Sequence, residues 1–252
     1  MNEKKVALIT GATSGIGKAI AYEFAKHGID LILCGRRQER LDQIKKELES
    51  HVKVYTLNFD VRDKNETLKA IDALPENFKP IDILINNAGN AHGLDPIQSG
   101  SIEDWDAMID INVKGLLYVS KAIIPHMVER QSGHIINIGS SAGKELYPKG
   151  NVYCGSKSAV LSITEGMRID LNPFGIKVCA INPGLVETEF SQVRFKGDAI
   201  ANSIYKGFEA LQPEDIADLV YYTVSRPKHV NIADVLVFST AQANNTIVKK
   251  EL

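Results

Sequence analysis

Three cysteines in 252 residues, Cys34, Cys154 and Cys179, are too few, too far apart and odd in number for a disulfide framework or a closed zinc site. That scarcity points to a reducing compartment, the cytoplasm. An excess of charge of one sign is also missing. The 29 basic and 31 acidic residues give a formal net of -2, and the basic ones are spread along the chain without an arm or stripe. Such a distribution argues against nucleic acid as a partner. No window approaches the roughly 20 uninterrupted apolar residues that a spanning helix needs, so no membrane partner is expected. The opening "MNEKKVALIT" passes from a short charged lead into an apolar run too short for a signal-peptide core. The closing "KKEL" loosely resembles a retrieval signal and is read as a solvated terminus. Six histidines, at 27, 51, 92, 126, 134 and 229, show no pair at metal spacing. No catalytic metal is predicted, and His92 alone is a candidate for the rim of a pocket.

What is present is enough apolar residue, 44% of the chain, for a substantial core. The runs "KVALIT", "DLILC", "VKVYTL", "IDILIN", "GHIINIGS", "IKVCAIN" and "DVLVFS" read as seven strands separated by amphipathic helical stretches. Strands so continuously apolar are usually buried on both faces, which suits a parallel sheet with right-handed crossovers. The expected fold is α/β: a single-domain Rossmann arrangement over residues 1–252, with a doubly wound seven-stranded parallel sheet and helices on both faces. "SIED" at 101–104 is a helix start in which Ser101 can cap and Asp104 can complete a capping box. The longest irregular stretch follows "INPG" at 181–184, and a lid over a substrate is expected at about 185–212.

Directly after the first strand comes "TGATSGIG", leading into a helix. Gly11, Gly15 and Gly17 at such a turn let backbone approach a pyrophosphate, for which the helix N-terminus supplies N–H groups and positive potential. The spacing departs from the commoner G-x-G-x-x-G, and the bland alternative is tight packing of helix on strand. At the end of the second strand, "LCGRR" has Gly35, Arg36 and Arg37 where a carboxylate would select NAD. Arginine forks match phosphate oxygens, and Thr13 or Ser14 can add hydroxyl donors, so NADP is favoured. The alternative is a solvated helix start, although cations are mildly unfavourable there.

Tyr153 and Lys157 in "NVYCGSKS" stack on one face if the segment is helical. With "TGATSGIG", with "NNAG" at 86–89 and with "IINIGSSAG", they make the chain resemble the short-chain dehydrogenase/reductase family over nearly its whole length. The resemblance implies an oxidoreductase with Asn112, Ser140, Tyr153 and Lys157 as catalytic residues. Tyr153 would serve as acid or base if its pKa fell from about 10, and Lys157 is placed to lower it by opposite charge. Lys157 would also hold the nicotinamide ribose, and Ser140 would donate to the substrate oxygen. Ser141 is adjacent and open to confusion with Ser140. Asn112 would kink its helix and anchor a proton relay; the ordinary alternative is a mid-helix asparagine bonded to its own backbone. Asp60 would bind adenine or cap a helix. The resemblance adds Ile16, Val61, Asn87, Ala88, Gly89, Pro183, Gly184, Val186 and Thr188 to the cofactor site. "GHIINIGSSAG" lacks the elbow of a hydrolase, so Ser140 is not read as a nucleophile.

"NPGLVETEFSQVRFKGD", "CGRRQERL", "GNVYCGSK", "PEDI" and "HVNI" are similar to one branch of that family, the NADP-dependent 3-hydroxy acid dehydrogenases acting on serine, L-allo-threonine and related acids and reducing malonic semialdehyde. Relatives of the branch reduce sulfoacetaldehyde. A small anionic substrate needs a cation, and "VRFKGD" supplies Arg194, the expected anchor, with Lys196 close by; a solvated lid helix is the alternative. Tyr147 and Glu187 are further pocket candidates that could equally be structural. Lys249 or Lys250 could reach a neighbouring subunit's pocket. The family resemblance implies a homo-oligomer, a tetramer or a dimer, formed through helices at about 101–130 and 151–172. A broad carbonyl reductase and a non-catalytic NADP sensor are the other readings.

Overall fold

A computed structural model describes residues 4–197 and 203–251. Part of the expected lid, residues 198–202, lies outside them. Seven strands form one parallel sheet: β1 (Val6–Thr10), β2 (Asp30–Gly35), β3 (Val54–Asn58), β4 (Ile83–Asn86), β5 (His134–Ile138), β6 (Lys177–Pro183) and β7 (Asp234–Val237), in the order 3-2-1-4-5-6-7. The chain leaves β1 toward β2 on one side and returns to pair β4 on the other. This reversal opens a crevice at the carboxyl ends of β1 and β4.

The two faces of β1 feed two cores. Ala7 and Ile9 join Ile20, Phe24, Leu41 and Val220, from α1 (Gly15–Lys26), α2 (Gln38–Leu48) and α8 (Pro213–Val224). Val6 and Leu8 join Ile71, Val119, Ile123 and Met127, from α3 (Lys64–Asp72) and α5 (Leu116–Glu129). Period-2 side chains buried on both sides explain why the inner strands read as unbroken apolar runs. The edge strand β7 departs from that reading and alternates between exposed and half-buried positions.

Two helix starts differ from expectation. Ser101 does cap α4 (Ile102–Ile109), accepting from the Asp104 N–H at 3.2 Å, but the Asp104 carboxylate pairs with Lys196 instead of closing a capping box. The reciprocal box belongs to Gln212 and Asp215 at the start of α8. Asp63, and not Asp60, caps α3.

His134 lies at the end of the sheet away from the crevice, buried, with neither ring nitrogen partnered among the described residues. Burial, with Lys177 and Lys5 nearby, pushes its pKa down to about 3. The unfolded chain therefore takes up a proton below about pH 6.5 that the folded chain refuses, and stability falls as pH drops through the window between 6.5 and 3. The expected loss from pH 7 to pH 5 is up to about 2 kcal/mol. Urea midpoints of the wild type and His134→Leu over that range check it; equal slopes would rule it out.

Candidate active site

The glycine turn between β1 and α1 is a cradle in which side chains do not fit. Gly11 and Gly15 have φ of 66° and 52°, and a Cβ on Gly17 would lie 2.4 Å from Asn87 Nδ2 and 2.5 Å from the Gly11 carbonyl oxygen. Asn87 donates from Nδ2 to the carbonyls of Thr10 and Gly11, at 2.9 and 3.2 Å, and so ties the end of β4 to the cradle. One residue earlier, Asn86 donates to Ser120 and Asn137 and fastens β4 to β5 and α5. Ser14 is the N-cap of α1 but gives its helix no side-chain bond; its hydroxyl instead accepts from Arg37 at 2.7 Å. The helix N-terminus thus faces the crevice without a side-chain cap, as a phosphate-binding turn requires.

Arg37 reaches over the cradle, donating to Thr13 from Nε at 3.1 Å and from Nη2 at 2.8 Å, and to Glu189 from Nη1 at 2.9 Å. Arg36 is more exposed, with a 3.5 Å contact to Asp60. Burial pushes the Asp60 carboxyl up, but hydrogen bonds from Arg62 outweigh it and hold it below its ordinary value.

A cavity of about 560 Å³ runs from these arginines past the cradle to Ser140, Tyr147, Tyr153, Lys157 and Arg194. Val61, Ala88, Gly89, Pro183, Gly184, Val186 and Thr188 line it together with Ile16. Two expected site residues stand behind its wall. Gly17 packs against Gly11 and Asn87, so its smallness serves the approach of helix to strand. Asn112 is buried in a π-helical turn, Asp110–Gly115, joining α4 to α5. Its side chain accepts from the Asn90 N–H at 2.8 Å and donates to the Asn90 carbonyl at 2.9 Å and to Ser156 at 3.0 Å. It therefore binds a loop across the crevice, and its own helix backbone is not the partner.

Helix α6 (Asn151–Leu171) carries Tyr153 and Lys157 on one buried face. Ser140, just past the end of β5, is the serine that acts on Tyr153, lowering its phenol's pKa, while Ser141 donates to Asn245. Burial pushes the Tyr153 phenol well above its ordinary value, and the groups that pull it down are Ser140 and Arg194. Lys157 Nζ donates to the Ile138 carbonyl at 3.0 Å, and burial lowers its own pKa to about 8. A Cβ on Gly89 would meet Asn112 Oδ1 at 3.0 Å and Lys157 Nζ at 3.4 Å, so only glycine lets these two groups converge.

Arg194 closes the far end. It is the last residue of a short helix, α7 (Phe190–Arg194), and donates from Nε to the Gly93 carbonyl at 3.0 Å and from Nη1 to the Tyr147 hydroxyl at 2.8 Å. Its guanidinium lies 5.5 Å from the centre of the Tyr153 ring. The other candidates from this region fall elsewhere. Lys196 pairs with Asp104, and Glu187 takes a hydrogen bond from Gln212; neither lines the cavity. His92 does not line it either; its Nε2 is 2.8 Å from Asn90 Nδ2. Lys250 lies against its own chain, over Phe208 and the Ile204 carbonyl. Glu189, Gln242 and Asn245 are among the further cavity-lining residues that sequence reading did not single out. Glu189 falls within "NPGLVETEFSQVRFKGD" but was given no role there, and no quoted stretch covers Gln242 or Asn245. Among the described residues no group of three or more histidines, cysteines or carboxylates could hold a metal ion, and no helix is long and apolar enough to cross a membrane.

A model of the short chain dehydrogenase family matches residues 5–199. The chain belongs to the short chain dehydrogenase family. This short chain dehydrogenase is 45% identical, over 240 residues, to sulfoacetaldehyde reductase 2 of Chromohalobacter salexigens, covering 94% of this chain and 95% of the relative. It is also 45% identical over 240 residues to an NADP-dependent 3-hydroxy acid dehydrogenase of Salmonella typhi, covering 94% and 96%. Among solved structures, the closed form of a serine dehydrogenase complexed with NADP+ superposes with a TM-score of 0.92 at 42% identity, covering 98% of this chain and all of the other.

Proposed function

We propose that this short chain dehydrogenase uses NADP(H) to interconvert short 3-hydroxy acids, such as L-allo-threonine, serine or 3-hydroxypropionate, with the corresponding 3-oxo acids. The observation that carries the reading is Arg194, a cation held by Gly93 and Tyr147 at 5.5 Å from the Tyr153 ring, where a short anionic substrate needs its anchor. The cofactor, when bound, supplies the two-electron redox chemistry. Gly11, Thr13, Ser14, Gly15 and Ile16 would hold its pyrophosphate, with Gly17 allowing the turn. Arg36 and Arg37 would take the 2′-phosphate, and Asp60 and Val61 the adenine. Asn87, Ala88 and Gly89 would shape the middle of the groove, and Pro183, Gly184, Val186 and Thr188 the nicotinamide end.

Tyr153 then gives a proton to the substrate oxygen in reduction and takes it back in oxidation. Ser140 donates to the same oxygen, and Lys157 holds the ribose beside it. Tyr147 and Arg194 fix the carboxylate. Asn112 is a positioning residue that keeps the Asn90 loop and the Lys157 helix in register. Residues 185–212 would act as a lid: Val186 bridges to Leu211, and the Leu211 N–H donates to the Leu185 carbonyl, which ties the two ends of the segment together. We place the protein in the cytoplasm as a single-domain homo-oligomer, a tetramer or a dimer. Exposed Ile102, Ile109 and Leu117 on the α4–α5 side and Ile169 on α6 support this, and light scattering tests it.

The direct test is the initial rate of NADP+ reduction across serine, L-allo-threonine, 3-hydroxypropionate, isethionate and an uncharged secondary alcohol. The 3-hydroxy acids are expected to dominate. The sulfoacetaldehyde-reducing relative favours one alternative, a sulfonate on the same arginine, and isethionate turnover above that of the acids would establish it. Equal rates on the uncharged alcohol would mark a broad carbonyl reductase.

A further inference from the structure

The carboxylate of Glu189 has no part in the chemistry above, yet two arginines converge on it. Arg37 reaches one oxygen at 2.9 Å, and Arg40 Nη1 reaches both, at 2.7 and 2.9 Å. Half-exposed pairs of this kind add little to stability, so a structural purpose explains the arrangement poorly. Glu189 is also the N-cap of α7 but gives that helix no side-chain bond; its carboxylate is turned to the arginines instead. Burial pushes the carboxyl up, but the bonds from Arg37 and Arg40 outweigh it and hold it below its ordinary value, so it is anionic at neutral pH.

A guanidinium has five N–H donors. In Arg37, Nε and Nη2 are committed to Thr13 and Ser14, and Nη1 gives a hydrogen to Glu189, which leaves one N–H over. An incoming phosphate monoester brings nearly two negative charges and three acceptor oxygens, against one charge and two oxygens on Glu189. The two acceptors compete for the same donors. We propose that Glu189 is a specificity-determining residue that occupies Arg37, with Arg40 holding it there, in place of the cofactor's 2′-phosphate, and that phosphate binding must displace it. Arg36, with a single long side-chain contact to Asp60, is free to join Arg37 on the phosphate. The proposal rests on the assignment of NADP above. A nucleotide without the 2′-phosphate makes no claim on Arg37 and is indifferent to Glu189.

The test reads binding, without turnover. Calorimetric titration of the full-length protein with NADP+, NAD+, adenosine 2′,5′-bisphosphate and 5′-AMP is compared with that of Glu189→Gln and of Glu189→Asp. In Glu189→Gln, the dissociation constants of NADP+ and the bisphosphate should fall about five- to tenfold, with those of NAD+ and 5′-AMP changed less than twofold. The aspartate keeps the charge on a shorter arm and should lie between. Wild-type preference for NADP+ with unchanged, weakened or uniformly shifted constants in Glu189→Gln overturns the role of Glu189 alone. A wild type that prefers NAD+ overturns the cofactor assignment, and this proposal with it.

Discussion

Replacing Tyr153 by phenylalanine is expected to lower kcat about a thousandfold, with the dissociation constant of NADP+ held within about twofold. The change removes one hydroxyl from a buried ring whose other contacts, including Phe190 with ring centres 5.8 Å apart, survive it. A loss of that size belongs to proton transfer and not to packing. Direction and pH follow from the environment. Burial raises the phenol's pKa, so Tyr153 is protonated at neutral pH, the form that donates to a carbonyl in reduction. Oxidation needs the basic form, so its rate in the wild type should climb with pH above 7 while the reduction rate does not, and the Tyr153→Phe residual should be flat. Stopped-flow rates in both directions from pH 6 to 10 measure this. A variant that keeps a tenth of wild-type activity would remove Tyr153 from the chemistry.

Arg194→Leu is expected to cost about a hundredfold in kcat/KM for 3-hydroxy acids, and only a few-fold for an uncharged secondary alcohol. The contrast matters more than the size. Arg194 also fastens α7 to Gly93 and Tyr147, so its loss loosens the wall for every substrate. Only the anionic ones lose a charge-assisted partner as well. Arg194→Lys should recover part of the acid rate, since it keeps the charge without the fork. Equal losses on acids and on the uncharged alcohol would make Arg194 a structural clamp and move the anionic anchor elsewhere.

The seven strands, the glycine cradle and the shared face of Tyr153 and Lys157 on α6 were legible because each is written in neighbouring residues. Apolar runs mark strands buried on both sides, Gly11, Gly15 and Gly17 mark a turn a Cβ cannot enter, and Tyr153 with Lys157 marks one helix face. The capping of α3 by Asp63 in place of Asp60, and the loss of the Asp104 carboxylate to Lys196, were not legible. Local sequence offers several acidic residues near each helix start, and distant partners choose between them. The contact of Arg194 with the Tyr153 ring was illegible for the same reason. Lys157 lies one turn away on the same helix, whereas Arg194 reaches the ring from 41 positions further along the chain.

By itself the sequence determined the fold and the glycine turn, because these rest on periodicity and backbone sterics within a few positions, while Tyr153 was marked as the acid–base candidate by the family resemblance. Only the tertiary structure decided which charges face which. Arg194 meets Gly93 across 101 residues and Arg37 meets Glu189 across 152. Such contacts leave no periodic trace, since what brings them together is the packing of α7 over the carboxyl ends of the sheet.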